Sequence, residues 1–262
     1  MVLSVDAPHR TLIVSCEEIP NYMDAMEMSF QVHKPADVST LQRGARIRFI
    51  ILDTGKTLFA EHIQPDTTAV FEPEPMAAGN LTALQNSLHP SLAIKPLAIG
   101  QPVPDFTLTD QTGQPIRLST LQGKVVALTF GYSRCPNPNY CYRLSNNLAH
   151  VSERLHTRAG KDLVFLTIAI DPEHDQGKVL AQYAAAFKAD PASWHFLTGP
   201  LLEIKQIAAS FGMNFWSNDG FLTHSLHTVI LDRHGNIAAN LEGNHFTDQQ
   251  LTDLVRSILK QE

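Results

Sequence analysis

Over the first 65 residues, hydrophobic and polar positions alternate in short runs. Residues 11–14, 29–32 and 46–52 are β-branched or aromatic segments, broken by Pro20, Pro35, Gly44 and Gly55. In the third run Ile47, Phe49 and Ile51 alternate with Arg48 and Ile50, the two-residue period of a half-buried strand. Several short strands without a long amphipathic helix predict a small all-β unit over 1–65, an OB-like barrel. The pattern then fades. Residues 66–99 carry Pro73, Pro75, Pro90 and Pro96 in an Ala/Thr/Glu-rich stretch, with one weak helical pattern over 81–88. That composition reads as a semi-extended linker.

From residue 100 the runs lengthen and the periods alternate. Residues 104–118 form a hairpin pattern around Asp110-Gln-Thr-Gly113, and 124–130 and 162–170 are near-continuous apolar runs. Such runs suit parallel strands covered on both faces. Helical spacing follows at 142–155, 176–187 and 201–211, with a short strand at 194–197. A second hairpin pattern, 226–231 with 236–241, encloses Arg233-His-Gly235, and Thr247 reads as the N-cap of a closing helix. Strands alternating with helices predict an α/β domain of the thioredoxin-like class over 100–262.

Composition narrows the function. Lys and Arg number 20 against 26 Asp and Glu, a net charge of −6, and no basic block invites nucleic acid. No apolar run reaches membrane-spanning length. The start at Met1 is strand-like, so a leader or native membrane anchor would have to lie outside this sequence. Three cysteines are too few for a disulfide scaffold.

Two of them carry the candidate chemistry. Cys135 and Cys141 stand between the apolar run ending at Phe130 and the helix expected from Tyr142. A helix N-terminus stabilises negative charge, so a thiol there ionises more readily than a free one. Two departures set the pair apart from a common disulfide reductase. Five residues separate the sulfurs instead of two, and no proline stands before the strand at Leu226, where His224 occurs instead. If the fold expectation holds, His224 approaches both sulfurs, and two thiolates with an imidazole make a soft site suited to Cu(I) and adequate for Cu(II). Redox use of the same thiols, Cys135 attacking and Cys141 resolving, stays open. A structural disulfide is the plain alternative. His227, His234 and His245 read as solvated or turn residues, and Asp171 and Asp175 as a turn and helix cap, with a supporting role at the site open for Asp171.

A second sulfur cluster lies in the first unit. Met26 and Met28 alternate and so face one side of a strand, with Cys16 and Met23 nearby. Core packing alone would explain the two methionines. Thioethers and a thiolate on one face would also select Cu(I).

Two resemblances sharpen these readings. The stretch Ile19-Pro-Asn-Tyr-Met-Asp-Ala-Met-Glu-Met28, followed by Gly44 and Phe49, resembles the CusF-type periplasmic copper-binding domain. That resemblance implies Met26 and Met28 as ligands, Met23 at the capping position, and Cys16 where the family carries a histidine. Further along, Phe130-Gly-Tyr-Ser-Arg-Cys-Pro136, Asp171-Pro-Glu-His-Asp175, Trp194-His-Phe-Leu-Thr-Gly199 and the segment from His224 to Gly235 together resemble the SCO/SenC family. It implies a copper chaperone for the binuclear copper centre of cytochrome c oxidase, with Cys135, Cys141 and His224 as metal ligands. It also implies a periplasmic or other extracytoplasmic location and, as partner, the oxidase subunit carrying that centre or another copper protein. The family spaces its cysteines by three residues where this chain has five, and Thr223 stands where an acidic residue often precedes the histidine.

Overall fold

The computed structural model describes residues 1–66, 95–218 and 220–261. The expected linker over 66–99, with its weak helix, lies almost wholly outside the described residues. The chain separates into two compact units, Met1–Val70 together with His245–Glu262, and Phe71–Asn244.

The first unit holds β1 (Val2–Asp6), β2 (Thr11–Cys16), β3 (Met26–Gln31), β4 (Ile47–Asp53) and β5 (Leu58–Pro65). They form one sheet in the order β1-β2-β3-β5-β4. All neighbours are antiparallel except β3 and β5, which run parallel. That is the Greek-key order of an OB fold, but the barrel is not closed. Its outer strands share no ladder. The edges meet where Val2 N–H donates to Ala45 O (2.8 Å), Gly44 N–H to Val2 O (2.8 Å) and Arg43 Nε to Leu3 O (2.8 Å). Gly44 takes φ +86°, a conformation that favours glycine, to make this turn. Val2, Leu12, Val14, Phe30 and Ala60 fill the interior, each contributing up to about 1.5–3 kcal/mol for the larger side chains.

The closing helix, α4 (Asp248–Leu259), belongs by packing to this unit, where it lies on β1 and β2. In the sequence reading the same helix closes the domain over 100–262. The buried Ser15 hydroxyl donates to Asp253 Oδ2 at 2.8 Å and ties helix to sheet. Thr247 caps it as expected: its Oγ1 accepts from Gln250 N–H (3.1 Å), and Gln250 Oε1 accepts from Thr247 N–H (3.0 Å).

The second unit is a seven-stranded sheet flanked by helices. Its elements are β6 (Thr107–Asp110), β7 (Pro115–Arg117), β8 (Val125–Gly131), α1 (Arg143–Arg154), β9 (Leu163–Ala169), α2 (Gly177–Ala186), β10 (Trp194–Thr198), α3 (Leu201–Ser210), β13 (His227–Leu231) and β14 (Ile237–Glu242). Between α3 and β13 a separate hairpin, β11 (Phe215–Asn218) with β12 (Phe221–His224), stands apart from the main sheet. The strand order is β14-β13-β8-β9-β10-β6-β7. β8, β9 and β10 run parallel, and every residue of β8 and β9 is buried, which is why their sequences read as unbroken apolar runs. Asp110 Oδ1 accepts from the Thr112 and Gln114 amides and closes the β6–β7 turn. The expected elements of this unit lie within about three residues of the observed ones. The β11–β12 hairpin is the exception. It was not anticipated, although Asn218-Asp-Gly220 between Phe215-Trp216 and Phe221-Leu222 is a strong turn signal.

Among the described residues no helix is long and apolar enough to cross a membrane.

Candidate metal centre

Strand β8 ends at Gly131, and the chain then leaves the sheet through Tyr132, Ser133 and Arg134 to reach Cys135. Two carboxylates fix this exit. The fully buried Asp175 accepts from the Ser133 amide (Oδ2, 3.0 Å) and from the Ser133 hydroxyl. Asp171 accepts from Arg134 Nη2 (2.6 Å) and Nε (2.9 Å). Asp175 is therefore not a helix cap: Gln176 occupies the N-cap of α2 without a side-chain bond. The Asp171–Asp175 turn instead clamps the segment that carries Cys135.

Beyond Cys135 the chain does not enter the helix smoothly. Pro136 and Pro138 interrupt it, and Tyr140 adopts φ −101°, ψ −108°, well outside helical values. Asn244 Nδ2 donates to Asn139 O and holds the loop from the far side. The two additional residues are absorbed in this irregular turn, and Cys141 enters it fully buried.

His224 arrives from the end of β12. Tyr132 holds that hairpin, its hydroxyl donating to Leu222 O (3.1 Å) and accepting from Leu222 N–H (3.3 Å). The Tyr132 ring meets the His224 imidazole edge-on at 5.9 Å between centroids. His224 is 2% exposed, and its Nδ1–H donates to Ser225 O at 2.9 Å. That bond keeps the proton on Nδ1 and leaves the Nε2 lone pair free, 3.1 Å from Cys141 Sγ. Cys135 Sγ, Cys141 Sγ and a His224 ring nitrogen all lie within 4.8 Å of one another. Among the described residues this is the one group of three or more His, Cys, Asp or Glu that could hold an ion. All three cysteines are free thiols.

The two thiols differ in character. The Cys141 S–H, the His224 ring and the amides of Asn137 and Cys141 pull Cys135 down to about 4. Burial pushes Cys141 up, and the neighbouring Cys135 charge reinforces it. The expectation of an easily ionised thiol at the helix start thus holds for Cys135 alone. Cys141, closer to the helix, is the reluctant one. His227 departs from its reading as well: it is buried, with Nδ1 at 3.0 Å from Asn240 Oδ1. His234 does sit exposed in the β13–β14 turn.

In the first unit, Cys16 pairs across the β2–β3 ladder with Met26, and Val14 with Met28. Met26 and Met28 share one face of β3, as their spacing predicted. Cys16 and Met28 pack against the hydrophobic interior, whereas Met26 is 44% exposed. Met23 lies before β3 in a bridge to Ile19. Cys16 also lines a cleft of about 780 Å³ with Phe49, Ile51, Tyr22 and Arg46.

A parallel core with two sulfurs and an imidazole gathered beyond its central strand defines a thioredoxin-like domain with a soft three-donor site. Residues 98–260 match the family described as SCO1/SenC, and the chain belongs to that family. Residues 1–65 match the family described as copper binding periplasmic protein CusF. Among curated relatives, mitochondrial SCO1 homolog 1 of Arabidopsis thaliana is 27% identical over 62% of this chain and 47% of its own length. Mitochondrial SCO2 of Saccharomyces cerevisiae is 28% identical over 61% of this chain and 52% of its own. An SCO2-like protein of Rickettsia typhi is 28% identical over 50% and 64%. The chain thus spans roughly half to two thirds of the length of these relatives. Among solved structures, copper-bound ScoI of Arabidopsis thaliana is 27% identical, with a TM-score of 0.53 over 62% of this chain and 99% of that one. Copper-bound yeast Sco1 is 25% identical, with a TM-score of 0.53 over 62% and 90%.

Proposed function

We propose that this protein binds copper and carries it to the binuclear copper centre of cytochrome c oxidase, or to another copper protein. Cys135 Sγ, Cys141 Sγ and His224 Nε2 hold the ion. The observation that carries this reading is the free Nε2 lone pair turned toward two sulfurs, inside a site that excludes most water. Two thiolates and an imidazole suit Cu(I) and accept Cu(II). Copper bound to two family members of this fold supports the choice of metal. The CusF match supports a second, weaker Cu(I) position at Met26, Met28 and Cys16, with Met23 flanking it. We further read residues 1–65 and 100–262 as two functional domains, with 66–99 as the tether. A tether raises the effective concentration of one site near the other and favours handover within the molecule. The periplasmic description of the first-unit match supports an extracytoplasmic location. Anaerobic Cu(I) loading followed by metal analysis tests the reading. Wild-type protein retains copper at the second unit; Cys135→Ser and His224→Ala lose it there. Unchanged content in both variants would end this reading.

A second reading rests on the asymmetry of the thiols. The half-buried Cys135, ionised near neutrality, is shaped to attack, and the buried Cys141 to resolve. The Cys135 thiolate would attack one sulfur of a partner disulfide, forming a mixed disulfide and releasing a partner thiolate. Cys141, deprotonated, would then attack Cys135, releasing the second partner thiolate and leaving a Cys135–Cys141 disulfide. Metal-free His224→Ala protein that reduces a disulfide substrate at the wild-type rate would favour this role.

A further inference from the structure

Two hydroxyls behind the site have no partner. Tyr183 Oη on α2 and Ser145 Oγ on α1 are shielded from solvent and make no hydrogen bond. They approach each other, since the Ser145 hydroxyl eases ionisation of the phenol, but do not close a bond. Folded proteins rarely leave buried hydroxyls unanswered. The packing of Tyr183 does not explain its oxygen. Its ring makes edge contacts with Phe187 (5.5 Å) and Phe196 (5.1 Å), which phenylalanine would make equally well.

The phenol oxygen and the Cys141 side chain converge on Gly131. A Cβ on Gly131, the last residue of β8, would stand 2.8 Å from Tyr183 Oη, 3.3 Å from Cys141 Cβ and 3.9 Å from Cys141 Sγ. Strand β8 ends in glycine where these two side chains converge. In the metal-free protein Cys141 Sγ already has His224 Nε2 beside it, at 3.1 Å. Its sulfur then needs little from a donor behind it. A metal-bound cysteine is a thiolate, and at Cys141 that thiolate is buried, where a nearby O–H stabilises it.

We propose that Tyr183 is a positioning residue for the copper site, its phenolic O–H donating to the Cys141 thiolate in the metal-loaded protein, with Ser145 as the supporting donor. This rests on the copper reading above. The hydrogen bond draws charge from the sulfur, tightens its hold on position and tunes the metal it binds.

The test compares wild-type, Tyr183→Phe and Ser145→Ala in the full chain. Without metal, Tyr183→Phe melts no lower than wild-type, because the lost hydroxyl was unpaired. With metal, its Cu(I) affinity by competition titration falls about tenfold, the order expected for a hydrogen bond to a charged group. In Cu(II)-loaded protein its sulfur-to-copper charge-transfer band moves to lower energy, as a sulfur losing a donor requires. Ser145→Ala shifts both readouts in the same direction by less, and carries the test should Tyr183→Phe not fold. Wild-type affinity and band position in the variant that folds would overturn the inference while leaving the copper reading standing. Wild-type protein that takes up no copper would overturn both.

Discussion

The two sulfur clusters of this chain are built in opposite ways. Cys135, Cys141 and His224 come from three separate segments, and each is held by its own buried support. Cys135 is fixed through Ser133 and Asp175, Cys141 by burial in an irregular turn, and His224 by Tyr132 and the Ser225 carbonyl. Cys16, Met26 and Met28 lie on two paired strands, at the open end of a sheet, with Met26 turned to solvent. The first arrangement is pre-organised: its donors stand together before a metal arrives. The second offers neighbouring soft atoms on a surface that must adjust. A rigid site favours retention, and an exposed one favours exchange.

The comparison breaks most visibly at His224. His224→Ala should weaken Cu(I) at the second unit at least about 100-fold, in line with losing one of the three proposed ligands plus its support. Uptake attributable to the first unit should not change, and copper counting on the two variants His224→Ala and Met26→Ala separates the contributions. Equal losses at both units would erase the distinction.

Next in size is the hairpin that delivers the imidazole. Tyr132→Phe removes both hydrogen bonds to Leu222 and should cost about 1–2 kcal/mol in urea unfolding. Copper affinity should fall several-fold more than that stability loss explains, because His224 loses its register. A variant with unaltered affinity would mean that the hairpin needs no such anchor.

The contrast between thiols sets a pH dependence. Cys135 has its folded pKa depressed to about 4, against roughly 8.5 when unfolded. A depressed acid stabilises the fold above its unfolded pKa, and that contribution disappears as pH falls through the folded value. Metal-free protein should therefore gain stability between about pH 4 and 8.5, and Cys135→Ser should flatten the rise. Alkylation near pH 6, read by peptide mass mapping, should label Cys135 well ahead of Cys141.

The smallest effects belong to the first unit. Met28→Ala should cost about 1–2 kcal/mol because Met28 packs against the interior. Met26→Ala should stay within about 0.5 kcal/mol, given its exposure. Both should weaken first-unit Cu(I) binding. If only Met28 matters for either property, the pair is core packing and the soft face is accidental.

Much of this was legible from local pattern. The apolar runs at β8 and β9 announced strands covered on both faces, Thr247 announced a helix start, and the spacing of Met26 and Met28 announced a shared face. These follow from periods of two and 3.6 residues, which neighbours in the chain impose on each other. The pairing of Cys135 with Cys141 was equally visible, and the missing proline before the Leu226 strand pointed to His224, which the motif resemblance then supported. What pattern could not give was the role of residues acting at a distance. Asp175 reads as a cap in sequence and is a clamp on Ser133. His227 reads as solvated and is buried. Tyr183 reads as one more aromatic on a helix, and its oxygen comes to rest above Gly131.

Local chemistry determined which elements form, where the soft donors lie along the chain, and that two units differ in kind. Tertiary structure alone decided that burial holds back the Cys141 thiol while the groups around Cys135 ease its ionisation, that the first-unit barrel stays open, and that the final helix lies on the first sheet. The reason is the range of the forces. Strand and helix periodicity is written in adjacent residues, whereas desolvation and the approach of hydrogen-bond donors depend on what the fold brings near. Only the folded chain states whether a sulfur is buried, and burial sets its charge.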